Sequence, residues 1–317
     1  MTDVEVLVPE SLEAEFPGRI EGVDPRVRVR AVQRDGAVSG ATTPRVLFRS
    51  DLPTEVMRRV LQDYPSVEWV HSAAAGVEHL LPELQGYEGL VTNSAGVHGE
   101  PIAEWVITMM LAHSKKLSLL LEHSRNREWK AEQSEELGGK TLGIVGAGGI
   151  GAAIARRARG LDMTVIGTRS SGTPTEHIPE MFTPDQLHQM LERSDYVVLA
   201  TPLTTQTAGL IGEPELKVMK PSAVLLNIAR GGIVQTDALL RALSEGEIGG
   251  AYLDVTDPEP LPSDHPLWNA PNTVITAHTS GYSPRSSERV VSFFCENLRL
   301  WLAGEPLRNV VDREREY

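Results

Sequence analysis

A chain of 317 residues, 41 % apolar and 23 % charged, is globular and too long for one ordinary core, so it divides best into two domains. Its formal charge of −13 repels nucleic acid and anionic membrane surfaces, and neither is an expected partner. The single cysteine, Cys295, excludes an internal disulfide and a cysteine-built zinc site, and no metal is expected.

The opening "MTDVEVLVPE" has no basic start followed by an apolar run, so no export signal is read there and the expected location is cytoplasmic. "VEVLVP", "VRVRAV", "RVLFRS" and "VEWVHSAAAG" have β-branched strand content, and "LPTEVMRRVLQDYP" among them has helical spacing. With "GLVTNSAG" as one more strand, this third of the chain reads as a small parallel α/β unit. "EPIAEWVITMMLAHSKKLSLLLEHSRNREW" then predicts one long helix from Pro101 to about Arg125, apolar on more than one face and so buried in a core or a subunit interface. Its run "WVITMMLA" is far too short to span a bilayer.

From Lys140 the alternation restarts. "KTLGIVGAG", "MTVIGTR", "YVVLATP", "AVLLNIAR", "GGAYLDV" and "NTVITAH" are six candidate strands, with "QTDALLRALSEGEI" a helix between the fourth and fifth. Six strands with crossovers make a doubly wound sheet. The closing "SPRSSERVVSFFCENLRLWLAGEPL" is helical and ends at Gly304, a C-cap. The expected fold class is α/β, with two doubly wound parallel-sheet domains. A dinucleotide-binding Rossmann domain, residues 98–282, is inserted into a smaller flavodoxin-like substrate domain, residues 1–97 and 283–317. Glycine and proline near Gly96–His98 and Gly281–Pro284 suit a hinge at the crossings, as they also suit ordinary loops.

The chemistry collects at strand ends, where an open parallel sheet places its ligand crevice. Gly146, Gly148 and Gly151 form G-x-G-x-x-G between a strand and a helix, and the turn Gly146, Ala147, Gly148, Gly149, Ile150, Gly151 suits a pyrophosphate at a helix N-terminus. The next strand ends where an acidic residue ordinarily binds a ribose hydroxyl. Here Arg169 stands, flanked by Thr168, Ser170 and Ser171, a set that favours the 2′-phosphate of NADP(H) over NAD(H). A solvated arginine in a variable loop is the other reading. Thr201, Pro202 and Thr207 follow the third strand, Ile228, Ala229 and Arg230 the fourth, Asp254 the fifth and His278 the sixth. All are expected around the cofactor, Asp254 on its nicotinamide side. Reduction of a 2-keto acid needs a cation for the carboxylate, a proton donor for the nascent alkoxide, and a partner that orients the donor. Arg230, His278 and Glu259 supply these three roles. The other histidines are weaker candidates. His71, His79 and His98 could face a substrate, His113, His123, His177 and His188 lie in helices or loops, and His265 reads as structural.

These residues sit in longer stretches: "SAAAGVEHLL", "TNSAGVHGEPIAEW", "LGGKTLGIVGAGGIG", "SDYVVLATPLTTQT", "LLNIARGGIVQTDAL", "YLDVTDPEPLPSDHPLW" and "NTVITAHTSG". In order and spacing they resemble the D-2-hydroxyacid dehydrogenases, the family of phosphoglycerate, glyoxylate and hydroxypyruvate reductases. The resemblance implies that Arg230, Glu259 and His278 are the catalytic residues. It implies a carboxylate-binding backbone loop at Ala75, Gly76 and Val77, preceded by Ala74, and a homodimer built around the long helix. Glu78 stands where aspartate is commoner, and Thr256 where an aromatic residue is usual. Arg49, Ser50, Leu52, Ala74 and Tyr282 are further candidates for the pocket wall. Some relatives of the family resemble transcriptional corepressors, so a dinucleotide-sensing binding protein is the alternative to an enzyme.

Overall fold

The computed structural model describes residues 3–317 and divides into two compact units, Met1–Val97 with Ser283–Tyr317, and His98–Tyr282. In the first unit, β1 (Val4–Pro9), α1 (Glu10–Glu15), β2 (Val27–Val32), β3 (Pro44–Arg49), α2 (Thr54–Asp63), β4 (Trp69–Ser72) and β5 (Leu90–Thr92) build a five-stranded parallel sheet. Its order, β2-β1-β3-β4-β5, is that of flavodoxin-like sheets. Strand residues alternate between two covers because successive side chains point to opposite faces. Val4, Val6 and Val8 pack with Phe294 and Leu298 of the C-terminal helix Ser286–Ala303, whereas Leu7, Leu47 and Val70 pack with Val56, Met57 and Val60 of α2. That C-terminal helix stops at Gly304, whose φ of 71° is left-handed, as the sequence predicts.

In the second unit, α3 (Gly99–Ser114) and α4 (Leu117–Asn126) precede a seven-stranded parallel sheet. The strands are β6 (Thr141–Val145), β7 (Thr164–Thr168), β8 (Glu180–Phe182), β9 (Tyr196–Leu199), β10 (Val224–Asn227), β11 (Gly250–Leu253) and β12 (Thr273–Ile275). They are ordered β12-β11-β10-β9-β6-β7-β8, the Rossmann order with one strand added. The helices α5 (Gly149–Arg159), α6 (Leu187–Arg193), α7 (Glu213–Val218) and α8 (Thr236–Glu245) cover it, with α3 packed against α5. Val145, Val197 and Leu225 face one core, Ile144, Val198 and Leu226 the other.

Two expectations need correction. The sheet of the second unit has seven strands, since the edge strand β8 is only three residues long and too short to show a period. The single long helix is two helices. The chain breaks at Lys116, whose φ is 52°, and the left-handed residue turns the axis before α4 begins. Only α3 carries a regular buried stripe, Gly99, Ile102, Ala103, Val106 and Met110. No helix among the described residues is long and apolar enough to cross a membrane.

Candidate functional site

The glycine turn follows β6. Gly146 has φ 95°, and a Cβ there would lie 2.5 Å from the Thr201 amide nitrogen, so the turn fits against the end of β9 only without a side chain. At Gly151 a Cβ would meet the Gly146 carbonyl at 2.8 Å, which sets how closely α5 approaches the strand. Gly148 differs: nothing lies within 4 Å of its missing Cβ. The amides of Gly146 and Ala147 donate to the Thr168 carbonyl (3.2 and 2.9 Å), and that of Gly148 to Gly146 (2.9 Å). Gly149, Ile150 and Gly151 open α5, and first-turn amides have no intrahelical acceptor. An open space beside three donors that find no acceptor among the described residues, at a helix N-terminus, fits a dinucleotide pyrophosphate.

Arg169 is exposed beyond β7, with Ser170 and Ser171 exposed beside it in a turn closed by Gly172 N–H on the Arg169 carbonyl (2.9 Å). Thr168 is not part of that surface. It is buried, and its Oγ1 accepts from the Gly146 amide at 3.3 Å, so it supports the glycine turn from beneath. Thr207 likewise serves its own loop, donating to the Pro202 carbonyl (2.6 Å) and accepting from the Thr204 amide (2.8 Å). Ile228 and Ala229 are buried at the end of β10. There Asn227, 1 % exposed, donates to the Arg230 carbonyl (2.9 Å) and accepts from the Ala229 amide (3.1 Å), fixing the turn that carries Arg230.

His278 stands beyond β12 with φ 51°, and its Nδ1 is 2.6 Å from Glu259 Oε1. The side chains are 44 % and 41 % exposed, which leaves Nε2 open to a ligand. Asp254, expected on the nicotinamide side, is 1 % exposed and committed to the loop that carries the histidine. Its Oδ1 accepts from Thr276 Oγ1 (2.5 Å) and the Thr279 amide (2.9 Å), its Oδ2 from the Ser280 amide (2.9 Å), and its carbonyl from the His278 amide (2.8 Å). A buried carboxylate with three charge-assisted hydrogen bonds therefore holds His278 in its left-handed conformation. The strand-end position signalled Asp254; its role as a clamp could not be read from spacing. His265 is structural, its Nδ1 accepting from the Leu267 amide (3.2 Å), and His188 pairs with Glu215 (2.9 Å).

In the other unit the loop after β4 presents backbone. Ala75, Gly76 and Val77 donate their amides to no acceptor among the described residues. Ala74 differs from its neighbours: its amide donates to Ser72 Oγ (3.2 Å) and its carbonyl accepts from the Ser94 amide (3.0 Å). Arg49, at the end of β3, donates to the Leu52 carbonyl (2.9 Å) and to His79 Nε2 (3.0 Å), and burial lowers its pKa.

The family model for D-isomer specific 2-hydroxyacid dehydrogenase, NAD binding domain, matches residues 107–280. The chain belongs to this family. A glyoxylate reductase of Pyrococcus furiosus is 36 % identical over 276 residues, 83 % of this chain and 81 % of that protein. One of Thermococcus gammatolerans is 35 % identical over 267 residues, 80 % and 79 % of the two chains. Among solved structures, a D-isomer specific 2-hydroxyacid dehydrogenase from Xanthobacter autotrophicus, in complex with NADPH and MES, superposes with a TM-score of 0.89 at 27 % identity, covering all of both chains. The NADPH-dependent glyoxylate/hydroxypyruvate reductase of Sinorhizobium meliloti, with NADP and sulfate, gives 0.84 at 25 % identity, again over both whole chains. This member of the family is an NAD(P)-dependent oxidoreductase acting on 2-keto or 2-hydroxy acids.

Proposed function

We propose that the protein is a cytoplasmic, homodimeric 2-keto acid reductase that uses NADPH in preference to NADH, with His278 as its general acid. The observation that carries this reading is the 2.6 Å contact between His278 Nδ1 and Glu259, on a loop held by buried Asp254. Glu259 accepts a hydrogen bond from Nδ1–H, so Nε2 is the end that delivers a proton to the substrate's carbonyl oxygen, or recovers it when a D-2-hydroxy acid is oxidised. Arg230 offers a planar fork to the carboxylate and keto oxygens. The amides of Ala75, Gly76 and Val77 bind the carboxylate as a backbone nest. Gly149, Ile150 and Gly151 hold the cofactor's pyrophosphate, and Arg169 with Ser170 and Ser171 its 2′-phosphate. Bound there, NADPH supplies the hydride. The solved relatives holding NADPH or NADP support the choice of cofactor. The alternative, a dinucleotide sensor of the corepressor type, would use the cofactor site without the acid–base pair.

A turnover screen from glyoxylate to phenylpyruvate with NADPH tests the reading. At least one 2-keto acid should be reduced, and His278→Ala should lower that rate by roughly 10²–10⁴-fold while leaving NADPH binding intact. NADPH binding without turnover of any 2-keto acid would identify a sensor instead.

A further inference from the structure

Ala75, Gly76 and Val77 can act as a carboxylate nest only if their peptide planes are held with the N–H groups turned outward. What holds them lies on the neighbouring strand. The Ala74 carbonyl accepts from the backbone amide of Ser94 at 3.0 Å. The Ala75 carbonyl accepts from Asn93 Nδ2 at 2.9 Å. In a trans peptide the carbonyl of one residue and the N–H of the next point to opposite sides. With the carbonyls of Ala74 and Ala75 both drawn toward the end of β5, the amides of Ala75 and Gly76 must face the other way. Asn93 is therefore the side chain that orients the Ala75–Gly76 peptide.

Asn93 is itself held from every side. It is 5 % exposed, and its Oδ1 accepts from the Ala95 amide at 3.1 Å, which fixes the side-chain amide so that Nδ2 faces Ala75. The C-terminal segment closes over it. The Asn93 amide donates to the Asn309 carbonyl (3.1 Å), and Asn309 Nδ2 donates to the carbonyls of Asn93 (3.3 Å) and Ala95 (2.9 Å). Asn309 reaches both through a left-handed backbone, φ 54°. A loop that returns from the end of the chain thus braces the residue that aims the nest.

We infer that Asn93 is a positioning residue for substrate: it sets affinity for the carboxylate by aiming the Ala75 and Gly76 amides, and it takes no part in proton or hydride transfer. The inference rests on the proposal that this loop binds the carboxylate. Asn93→Ala removes the donor, and Asn93→Asp keeps size and the bond from the Ala95 amide while placing a second acceptor against the Ala75 carbonyl. With NADPH and glyoxylate, both variants should show a KM for glyoxylate raised roughly five- to tenfold, the worth of one such hydrogen bond. The inhibition constant of oxamate should rise by the same factor, with kcat within about twofold of wild type. NADPH affinity should be unchanged. An unchanged KM in both variants overturns the inference, as does an equal loss of kcat and NADPH affinity, which marks a merely structural residue. If wild type does not reduce glyoxylate, the same KM comparison is made with the 2-keto acid it reduces best; a wild type that reduces none overturns the reading of the reaction itself, and this inference falls with it.

Discussion

At the scale of single residues, the departure that says most is Arg169, a cation where the fold ordinarily carries a carboxylate. It is exposed at the end of β7 beside Ser170 and Ser171, and nothing else in the turn is charged. A guanidinium against a dianionic phosphate forms charge-assisted hydrogen bonds worth about 1.5–3 kcal/mol, an order of magnitude or more in affinity. Arg169→Asp should therefore weaken NADPH binding at least tenfold and spare or improve NADH. Dissociation constants for both cofactors on both proteins check this, and equal use of the two by wild type would remove its basis. Arg169, Arg230, Glu259 and His278 were legible in the sequence because strand ends in a parallel sheet converge on one rim. The clamp by Asp254 was not, since its hydrogen-bond partners lie 22 to 26 residues away and leave no local pattern.

At the scale of elements, β4 and β5 share a buried polar chain that fixes a second property of the first unit. Trp69 Nε1 donates to Thr92 Oγ1 (2.9 Å), and that hydroxyl, with no other acceptor among the described residues, donates to His71 Nδ1 (2.7 Å). Ser94 Oγ donates to the Ser72 carbonyl (3.1 Å), so it accepts from His71 Nε2 (3.2 Å). The imidazole is thus neutral with its proton on Nε2, wrapped by Phe48, Trp69, Phe293 and Phe294. Burial pushes its pKa from 6.5 down to about 3. The unfolded chain takes up this proton near pH 6.5 and the folded chain only near pH 3. The stability it contributes is whole above pH 6.5 and is lost as pH falls through that window, by up to about 1.4 kcal/mol per pH unit. Urea midpoints between pH 7.5 and 5 should fall in wild type, and fall distinctly less in His71→Gln, whose side chain at this position takes up no proton. Equal slopes in the two proteins would show that another group governs the loss.

At the scale of the whole molecule, the apolar residues left over point to assembly. On α4, Leu117, Leu120 and Leu121 are 43 %, 38 % and 46 % exposed, and Trp129 in the irregular segment after it is fully exposed. Large apolar side chains clustered in this way mark an interface more often than a free surface. A dimer through this region is the expected state, and light scattering at micromolar concentration should give twice the mass of the chain. Leu121→Glu with Trp129→Glu should shift the mass toward one chain while the second unit stays folded by circular dichroism. A wild-type monomer at that concentration would refute the assembly.

The sequence by itself determined the class of fold, the strands of both sheets except β8, and the residues on the strand-end rim. Period-2 and helical patterns, glycine spacing and terminal caps are local, and local signals survive in one dimension. The tertiary structure decided the backbone conformations and hydrogen-bond pairings that no sequence pattern marks. Lys116 in a left-handed conformation split the long helix in two. Thr168 and Thr207 proved to be supports beneath their turns, Ala74 spent its amide on Ser72, and Asp254 closed on the His278 loop. Asn93 and Asn309, 216 positions apart, brace a loop that neither adjoins. A hydrogen bond is chosen by geometry in three dimensions, and its two ends carry no mark of each other until the chain has folded.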